Sequence, residues 1–207
     1  MASVCGIQTA ESRTVPDKEG HDIFITRRFD RTDEGKRIHM ASALTLLGLP
    51  QGSGADTGHG YPDIASLIIS TGVNVEKDLK ELYRRVAFNI CIGNSDDHFK
   101  NHSFLLTKDG WTLSPVYDIN PSNYRSHSLL IDMESNQSSL DRLFKAHKMY
   151  FIDKETAHDI ISEVASNMKQ WRRIAYDDCK ISFTEAERFA ERFGIPSEWS
   201  MSKGIKK

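Results

Sequence analysis

The sequence predicts an α+β protein that is mostly helical. Apolar side chains recur at helical spacing from about Glu76 to Ile92, and a second long segment from Asp153 to about Tyr176 is also predicted to be helical. The predicted β structure is limited to a run at His21–Thr26 and to two short segments on either side of an Asp-Gly pair. Helices therefore dominate, and the strands are too few for a doubly wound sheet or a barrel.

Composition narrows the class of protein. The chain has 207 residues, of which 39% are hydrophobic, with 27 basic and 29 acidic side chains. These values predict a packed core, and the balanced charge argues against a nucleic-acid coat protein. The longest apolar run, near Ala65–Ile69, is too short to span a membrane, and the N-terminus lacks the layout of a signal peptide. The three scattered cysteines form neither a disulfide framework nor a CxxC metal site, so we expect a cytoplasmic globular protein.

The first sixty residues predict a strand, a helix and a loop. His21–Thr26 is rich in β-forming residues, and two strands alone are marginal in water. Because little sequence precedes this run, we expect that it lacks strand partners within the upstream residues and that they are missing or are provided by another chain. Ile38–Leu47 places apolar side chains at helical spacing, and Gly48 predicts the end of that helix. Residues 51–60 contain four glycines but no lysine and no GxxxxGK[ST] order, which favours a surface loop over a phosphate-binding loop.

Local signals define the remaining elements. Gly93 predicts the end of the helix before it, and Asp109-Gly110 is typical of a hairpin turn. Asp153 can cap a helix, and Thr184-x-x-Glu187 has the form of a capping box. The predicted elements are helices over Pro62–Ser70 and Glu76–Ile92, strands over Ser103–Leu106 and Trp111–Leu113, helices over Asp153–Tyr176 and Glu185–Phe193, and a frayed tail over Lys203–Lys207.

The densest polar cluster is residues 93–102, between a predicted buried helix and the hairpin. Asp96 and Asn101 lie five positions apart in this loop, and Asp118 follows the second strand of the hairpin. Because a hairpin reverses the chain, we expect Asp118 to lie close to the loop. Phosphoryl transfer needs a carboxylate that accepts the proton of the attacking hydroxyl, and oxygen ligands that hold Mg²⁺ against the phosphates. The order helix, Asp-x4-Asn, hairpin, Asp therefore favours a phosphoryl-transfer site, whereas Asn94 and Ser95 more simply shape the turn.

A second interpretation uses the same loop. His98 and His102 lie four positions apart, which on a helix would place two imidazoles on one face. Together with Asp96, Asp97 or Asp118 they could bind a transition metal, as in a metal-dependent hydrolase. The turn-forming residues before His98 and the β run after His102 leave little room for a helix, so phosphoryl transfer is the favoured interpretation.

Two stretches, Phe88–Leu105 and Leu113–Ile119, closely resemble the C-terminal region of HipA-family serine/threonine kinases, the toxins of bacterial toxin–antitoxin pairs. The family pattern is an apolar helix, Gly-[Asn/Ala]-x-Asp-x-His-x-Lys-Asn, and then Leu-x-Pro-x-Tyr-Asp. Arg28–Arg31 is similar to the family's Arg-Phe-Asp-Arg hinge, and the resemblance extends from about Val4 to Phe193. It implies a protein-kinase-like C-lobe over residues 36–207 and a short β remnant of the N-lobe, with the hinge, over residues 1–35.

The resemblance implies a role for each matching residue. Asp96 would be the catalytic base of a serine/threonine protein kinase, and Asn101 and Asp118 would coordinate Mg²⁺. The implied ATP contacts are His98 and Lys100 at the phosphates and Phe29 and Asp30 at the adenine and ribose. The family phosphorylates serines on protein targets, and aminoacyl-tRNA synthetases are examples of these targets. Its members pair with a helix-turn-helix antitoxin that binds DNA, so this chain would approach DNA only indirectly.

Two departures from the family bear on activity. Arg27 stands where the family usually has Glu, a change that backbone contacts to adenine tolerate. Family members carry a nucleotide-covering loop and a phosphate-pairing lysine well before the hinge, whereas here Lys18, in a predicted turn, is the only lysine before residue 27. We therefore expect either a serine/threonine kinase, active as it stands or when a partner chain supplies the N-lobe, or a non-catalytic pseudokinase or binding module that interacts with an antitoxin.

A basic segment, Lys169–Arg173, surrounds Trp171 on the last long predicted helix. Such a pattern occurs at nucleic-acid contacts, but it more often marks a solvated helix face with a half-buried aromatic ring. We expect the second case here.

Overall fold

Two small antiparallel sheets and a group of helices make up the part of the chain that the computed structural model describes, which is residues 1–122, 126–190, 193 and 199. The strands are β1 (Ser12–Pro16), β2 (Asp22–Thr26), β3 (Met40–Ser42), β4 (Ser103–Leu106) and β5 (Trp111–Leu113). The helices are α1 (Ala43–Leu46), α2 (Tyr61–Thr71), α3 (Val75–Ile92), α4 (Leu140–Lys145), α5 (Lys154–Met168), α6 (Trp171–Arg173) and α7 (Phe183–Glu187).

The first sheet is the hairpin of β1 and β2, in register from Ser12 opposite Thr26 to Pro16 opposite Asp22. The predicted strand is confirmed, but the expectation that it lacks an upstream partner is wrong, because β1 precedes it and pairs along its whole length. The alternation of polar and apolar side chains over residues 12–16 is too weak to predict a strand. All of β2 is exposed, and Phe24 is 68% exposed, so this hairpin contributes little to the core.

The second sheet has the order β3-β4-β5, and it corrects the helix predicted over Ile38–Leu47. Met40 pairs with Leu105 and Ser42 with Ser103, so the first half of that segment is a strand along the edge of the β4–β5 hairpin. Only α1 is helical. The open hydrogen-bonding edge of the hairpin outweighs the local helical spacing, which is a tertiary effect that periodicity does not report.

The core forms around α3, which packs against α2, α4 and α5. The predicted helices at Pro62–Ser70 and Glu76–Ile92 and the hairpin around Asp109-Gly110 are confirmed. The buried apolar side chains of α3 are Leu79, Leu82, Tyr83, Val86, Ala87, Phe88, Ile90, Cys91 and Ile92. Burial of this face against three helices fixes the end of α3, from which the polar loop begins.

The C-terminal helices are shorter than predicted. Asp153 caps α5, as expected, and its side chain accepts from the Thr156 amide at 2.9 Å. The helix ends at Met168, however. A turn, the short helix α6 and a π-helical turn that ends at Asp178 follow it. Ser182, not Thr184, caps α7, and the end of the predicted Glu185–Phe193 helix and the predicted frayed tail fall largely or wholly outside the described residues. Within the described ranges, no helix has the length and apolar character needed to cross a membrane.

Candidate active site

The loop that holds the predicted catalytic residues begins where α3 ends. Gly93 has a φ of 69°, a left-handed conformation that glycine adopts without a Cβ clash, and its amide donates to the Asn89 carbonyl. Beyond this glycine, Asp96 is exposed whereas Asp97 is only 4% exposed. A short 3-10 turn over Phe99–Asn101 completes the loop. The fold thus directs two consecutive carboxylates to opposite sides of the loop, one into solvent and one into the protein.

Asp97 connects this loop to the two helices behind it through side-chain hydrogen bonds. Its Oδ2 accepts from the Tyr61 hydroxyl at 2.9 Å and from Asn89 Nδ2 at 2.7 Å, and it lies 2.8 Å from His102 Nε2. Burial by itself raises the pKa of this carboxyl group, but the adjacent His102 and the hydrogen bonds from His102 and Tyr61 outweigh it and lower the pKa. Asp97 is therefore an ionised group in the protein interior.

The same contacts weaken the metal-site interpretation of His98 and His102. His102 Nε2 is engaged by Asp97, and a 3-10 turn rather than an α-helix separates the two histidines, so their rings do not share a helical face. In the ranges that the structure describes, the one group of three His, Cys, Asp or Glu ligand atoms within 4.8 Å of one another lies in the exposed turn between β1 and β2. The geometry therefore gives no support to a metal-dependent hydrolase at this loop.

The remaining loop residues keep their functional groups available. Asn101 is 7% exposed, yet its side chain hydrogen-bonds to no described residue. Its amide oxygen is therefore available to a ligand. Lys100 is exposed, and with His98 it lines a small cavity of about 140 Å³ beside the loop. These two residues lie on the side of the loop that faces residues 51–53.

Asp118 is brought to the loop by hydrogen bonds on either side of it. The Tyr117 hydroxyl donates to the Lys100 carbonyl at 2.5 Å, and the Ser122 amide donates to the Gly93 carbonyl at 2.9 Å. Residues 117–122 are therefore bonded to both ends of the loop, with Asp118 between the two attachment points. The predicted proximity of Asp118 to the polar loop follows from these bonds and from the β4–β5 hairpin.

The backbone at Asp118 is unusual. Its φ is 56°, a left-handed conformation that few residues other than glycine adopt. Asn120 Nδ2 donates to its Oδ1 at 3.0 Å, and the residue is exposed. Sparsely populated backbone conformations cluster at functional sites, so this angle at a carboxylate that faces a cavity supports a functional assignment.

Asp118 shares a larger cavity with both predicted nucleotide contacts. Phe29, Asp30 and Asp118 line a cavity of about 410 Å³ between the β1–β2 hairpin and residues 116–119. Its volume falls within the range of small-molecule sites. Tyr117 also lines this cavity, and its ring centroid lies 5.9 Å from that of Phe29. The other four predicted residues, Asp96, His98, Lys100 and Asn101, are not part of its lining.

Asp30 is committed to two neighbouring arginines. Its carboxylate accepts from Arg28 at 2.8 and 2.6 Å and from Arg31 at 2.6 Å. The hydrogen bonds from Arg28, followed by those from Arg31, hold the pKa of Asp30 below its ordinary value. The predicted ribose contact is thus an anchored carboxylate, and Arg28, whose side chain is 63% exposed, adds a positive charge at the cavity.

Three residues important to this geometry are missing from the sequence-based prediction of the site. Tyr61 and Asn89 lie on the buried faces of α2 and α3, and Tyr117 entered only as part of the family pattern. A signal was present, because a tyrosine or asparagine on an otherwise apolar helix face needs a hydrogen-bond partner. The sequence does not identify that partner. In the structure, Asp97 is the hydrogen-bond partner of both Tyr61 and Asn89.

The basic segment around Trp171 is neutralised within the protein. Trp171 is buried, with the Arg172 guanidinium 4.4 Å from its ring centroid. Arg172 pairs with Glu187 at 2.8 and 3.0 Å, and Arg173 pairs with Asp178. These contacts favour the predicted solvated helix face, with Trp171 more buried than expected.

Comparison with a family model decides the assignment. Residues 1–172 match the model described as the HipA-like C-terminal domain. The chain belongs to this family. The match includes the loop, the hairpin and the cavity, so the resemblance seen in the sequence is confirmed.

Two curated relatives of the HipA-family chain are named as putative kinases. It is 27% identical over 127 residues to "Putative kinase Y4mE" of Sinorhizobium fredii, which covers 58% of this chain and 30% of the relative. It is 31% identical over 101 residues to a protein of Haemophilus influenzae named "Putative kinase", covering 46% of this chain and 29% of the relative. The chain thus spans less than a third of the length of these relatives.

Solved structures confirm the fold class. HipA in the Shewanella oneidensis complex of HipA, HipB and operator DNA has a TM-score of 0.70 at 19% identity, over 92% of this chain and 50% of that one. The Helicobacter pylori proinflammatory kinase CtkA has a TM-score of 0.51 at 14% identity, over 92% of this chain and 83% of that one. The fold of this HipA-family chain is therefore α+β and kinase-like, as the sequence predicted.

Proposed function

We propose that this HipA-family chain is the catalytic part of a serine/threonine protein kinase that transfers the γ-phosphate of ATP to a protein serine. The observation that supports the proposal is the attachment of residues 117–122, which include Asp118, to the Lys100 and Gly93 carbonyls at the two ends of the loop that carries Asp96 and Asn101. In domain terms, residues 1–35 supply the partial N-lobe and hinge, and residues 36–207 form the C-lobe.

Asp96 is the proposed catalytic base. It is exposed on the loop while Asp97 anchors the backbone beneath it, so its carboxylate is free to accept a proton. As the serine oxygen bonds to the γ-phosphorus, the bond from phosphorus to the β–γ bridging oxygen breaks, ADP leaves, and the serine proton passes to Asp96. An exposed carboxylate such as that of Asp96 can act as a general base and adds little to the packing of the fold.

Asn101 and Asp118 are the proposed Mg²⁺ ligands. Amide and carboxylate oxygens are the ligands that Mg²⁺ prefers, and the amide oxygen of Asn101 suits a Mg²⁺ site. When bound, Mg²⁺ neutralises charge that develops on the phosphates. The protein's own contribution is to hold both oxygens in place, through Tyr117 on one side and the 3-10 turn on the other.

The nucleotide is proposed to occupy the larger cavity. The ring of Phe29 offers an apolar surface for adenine, and Asp30, held by Arg28 and Arg31, faces the ribose. His98 and Lys100, beside the smaller cavity, are the proposed phosphate contacts. Arg28 extends this positive charge on the opposite side.

The test is a calorimetric titration of the chain with ATP and Mg²⁺. We expect binding that Asp118→Asn weakens at least tenfold, because a carboxylate ligand is replaced by a neutral amide. Asp109→Asn is the matched control, since Asp109 is also an exposed aspartate, but it lies in the β4–β5 turn. Equal affinities for both variants and the parent would contradict the proposal, as would absence of binding.

A pseudokinase or binding module is the second candidate, and one observation favours it. Of the residues that the structure describes around the larger cavity, none is a lysine, and Asp30 is already paired with two arginines. No lysine among the described residues that line this cavity is therefore available to pair with the phosphates. The same titration separates the candidates, because a binding module predicts no Mg²⁺-dependent affinity for ATP.

The partners we propose are a helix-turn-helix antitoxin and, for catalysis, a chain or segment that supplies the rest of the N-lobe. Two facts support this: the chain spans half of HipA, whose solved complex contains HipB and operator DNA, and the β1–β2 hairpin leaves Ile23, Phe24 and Ile25 exposed. DNA would then be contacted by the antitoxin, and the substrate would be a protein of the aminoacyl-tRNA synthetase class. Co-expression of the chain with an adjacently encoded helix-turn-helix protein tests the first partner, and failure to co-purify would contradict it.

A further inference from the structure

The contact between Asp97 and His102 closes the loop at its base. The two side chains meet at 2.8 Å, and every loop residue assigned to phosphate or metal lies between them in the sequence. Both partners are buried, at 4% and 1% exposure. Residues 98–101 therefore form a loop that a buried, charge-assisted contact closes at its base.

That base is attached to two helices. The Tyr61 hydroxyl, from the first turn of α2, and the Asn89 amide, from the last turn of α3, both donate to the same Asp97 oxygen. Asn89 Oδ1 in turn accepts from Asn94 Nδ2 at 3.1 Å, which joins the start of the loop to the same network. Three donors from three separate elements thus converge on one carboxylate oxygen.

Backbone hydrogen bonds also hold the two ends of the loop: the Asn94 amide donates to the Asn89 carbonyl at 2.9 Å, the Ser128 amide to the Ser95 carbonyl at 2.8 Å, and the Ala43 amide to the His102 carbonyl at 2.7 Å. Within the loop, the backbone bonds are Ser95 N–H to the Gly93 carbonyl at 3.0 Å and Asn101 N–H to the His98 carbonyl at 2.8 Å. Neither bond ties the exposed residue Asp96 to a helix. Hydrogen bonds to a charged acceptor are about twice as strong as neutral ones, so the network at Asp97 is a strong side-chain restraint in the middle of the loop, between the bonds at its two ends.

We propose that Asp97 is the positioning residue of the active-site loop: its buried carboxylate, held by Tyr61, Asn89 and His102, fixes the direction in which Asp96 and Asn101 point. The catalytic consequence rests on the proposed function, but the restraint on the loop does not. Asp97 touches no reacting atom in this scheme, and it acts through the backbone of its neighbours.

The first experiment measures hydrogen–deuterium exchange of residues 93–102 in the full chain. We expect Asp97→Asn and Tyr61→Phe each to speed amide exchange there at least tenfold. Tyr83→Phe is the matched control, because Tyr83 is also fully buried on a helix and also loses one hydroxyl bond, to the Leu143 carbonyl at 2.9 Å. Parental exchange in Tyr61→Phe and Asp97→Asn would overturn the proposal, and so would equal acceleration by Tyr83→Phe. Should Asp97→Asn fail to fold, Tyr61→Phe decides.

The second experiment measures kinetics. We expect Tyr61→Phe to lower kcat by about 10- to 100-fold with KM for ATP within twofold of the parent, whereas Tyr83→Phe changes neither despite a similar fall in Tm. Retention of parental kcat in Tyr61→Phe would overturn the catalytic part of the proposal.

Conservative replacement of His102 gives a third comparison. His102→Gln keeps an N–H donor for Asp97 and is expected to retain slow exchange and most of kcat, and His102→Leu is expected to lose both. Equal behaviour of the two variants would contradict a role through Asp97. If the parent chain itself transfers no phosphate and binds no nucleotide, the proposed function fails, and the exchange measurements still decide whether Asp97 holds the loop.

Discussion

The Tyr117 hydroxyl lies 2.5 Å from the carbonyl oxygen of Lys100, a residue seventeen positions earlier in the chain. The same hydroxyl lies 2.6 Å from Ser103 Oγ, at the start of β4. This side chain therefore bridges the two segments that carry the proposed Mg²⁺ ligands. Its ring also faces Phe29, so the bridge forms part of the wall of the larger cavity.

Replacing Tyr117 by phenylalanine should loosen this bridge. We expect Tyr117→Phe to lower the free energy of unfolding by about 1 kcal/mol and to weaken binding of Mg²⁺–ATP, because the segment that carries Asp118 loses its hydrogen bond to the Lys100 carbonyl, next to Asn101. Urea unfolding and calorimetry measure the two effects. Tyr176→Phe is the control, since its hydroxyl bonds Glu187 far from the loop. Unchanged nucleotide affinity in Tyr117→Phe, or an equal loss in Tyr176→Phe, would count against the bridge.

Asp96→Asn should remove phosphoryl transfer and leave the fold intact. The carboxylate is exposed, and its loss as a general base is expected to lower kcat by about 10²–10⁴-fold. Because Asp96 makes little packing contribution, the expected change in Tm is within the error of the measurement. A radiolabel transfer assay and thermal unfolding test both statements. Parental turnover in this variant would show that another group takes the proton.

Arg85 should be far more sensitive to substitution than a surface cation on the same helix. It is 1% exposed, pairs with Glu81 at 2.8 Å and donates to the Ser114 carbonyl at 2.7 Å. Arg85→Met leaves the carboxylate of Glu81, whose side chain is 13% exposed, without its cationic partner, and we expect a loss of about 3–5 kcal/mol in the free energy of unfolding. Lys80→Met, which breaks the exposed pair with Glu76, should cost about 0–1 kcal/mol. Denaturant unfolding of both variants tests the contrast, and similar losses would contradict it.

His127 should make stability fall in mild acid. Burial lowers its pKa from 6.5 to about 4, so between these values the unfolded chain binds a proton that the folded chain does not. The contribution of neutral His127 to the free energy of unfolding is therefore fully present above pH 6.5. It falls by up to about 3 kcal/mol as the pH drops toward 4. His127→Gln should flatten this part of the profile of unfolding free energy against pH. His21→Gln, at an exposed site, is the control, and an unchanged slope in His127→Gln would contradict the assignment.

Local signals predicted the helices and the hairpin near the site well. The apolar stripe of α3, the left-handed Gly93 and the Asp109-Gly110 turn are short-range features, and each appears where the sequence placed it. The segment at Met40–Ser42 was misassigned because its partner, β4, lies more than sixty residues away in the chain. Periodicity reports only neighbours, so an edge strand completed by distant residues is outside its reach.

The candidate site divides along the same line. Asp96, Asn101 and Asp118 could be selected from residue type, spacing and family pattern, and whether they perform the predicted roles stays a prediction. Which of two adjacent aspartates is buried could not be selected, because Asp96 and Asp97 have the same chemistry and differ only in the direction each side chain takes. The partners that decide this, Tyr61 and Asn89, come from two different helices.

The sequence by itself determined the family, the mostly helical α+β class and the residues available for chemistry, because these follow from composition, spacing and short-range patterning. Tertiary structure alone decided which carboxylate faces solvent, which residues share the larger cavity, and how Tyr117 and Asp97 hold the loop. The physical reason is that burial and long-range hydrogen bonds depend on what the folded chain brings together, and one sequence position carries no record of its distant neighbours.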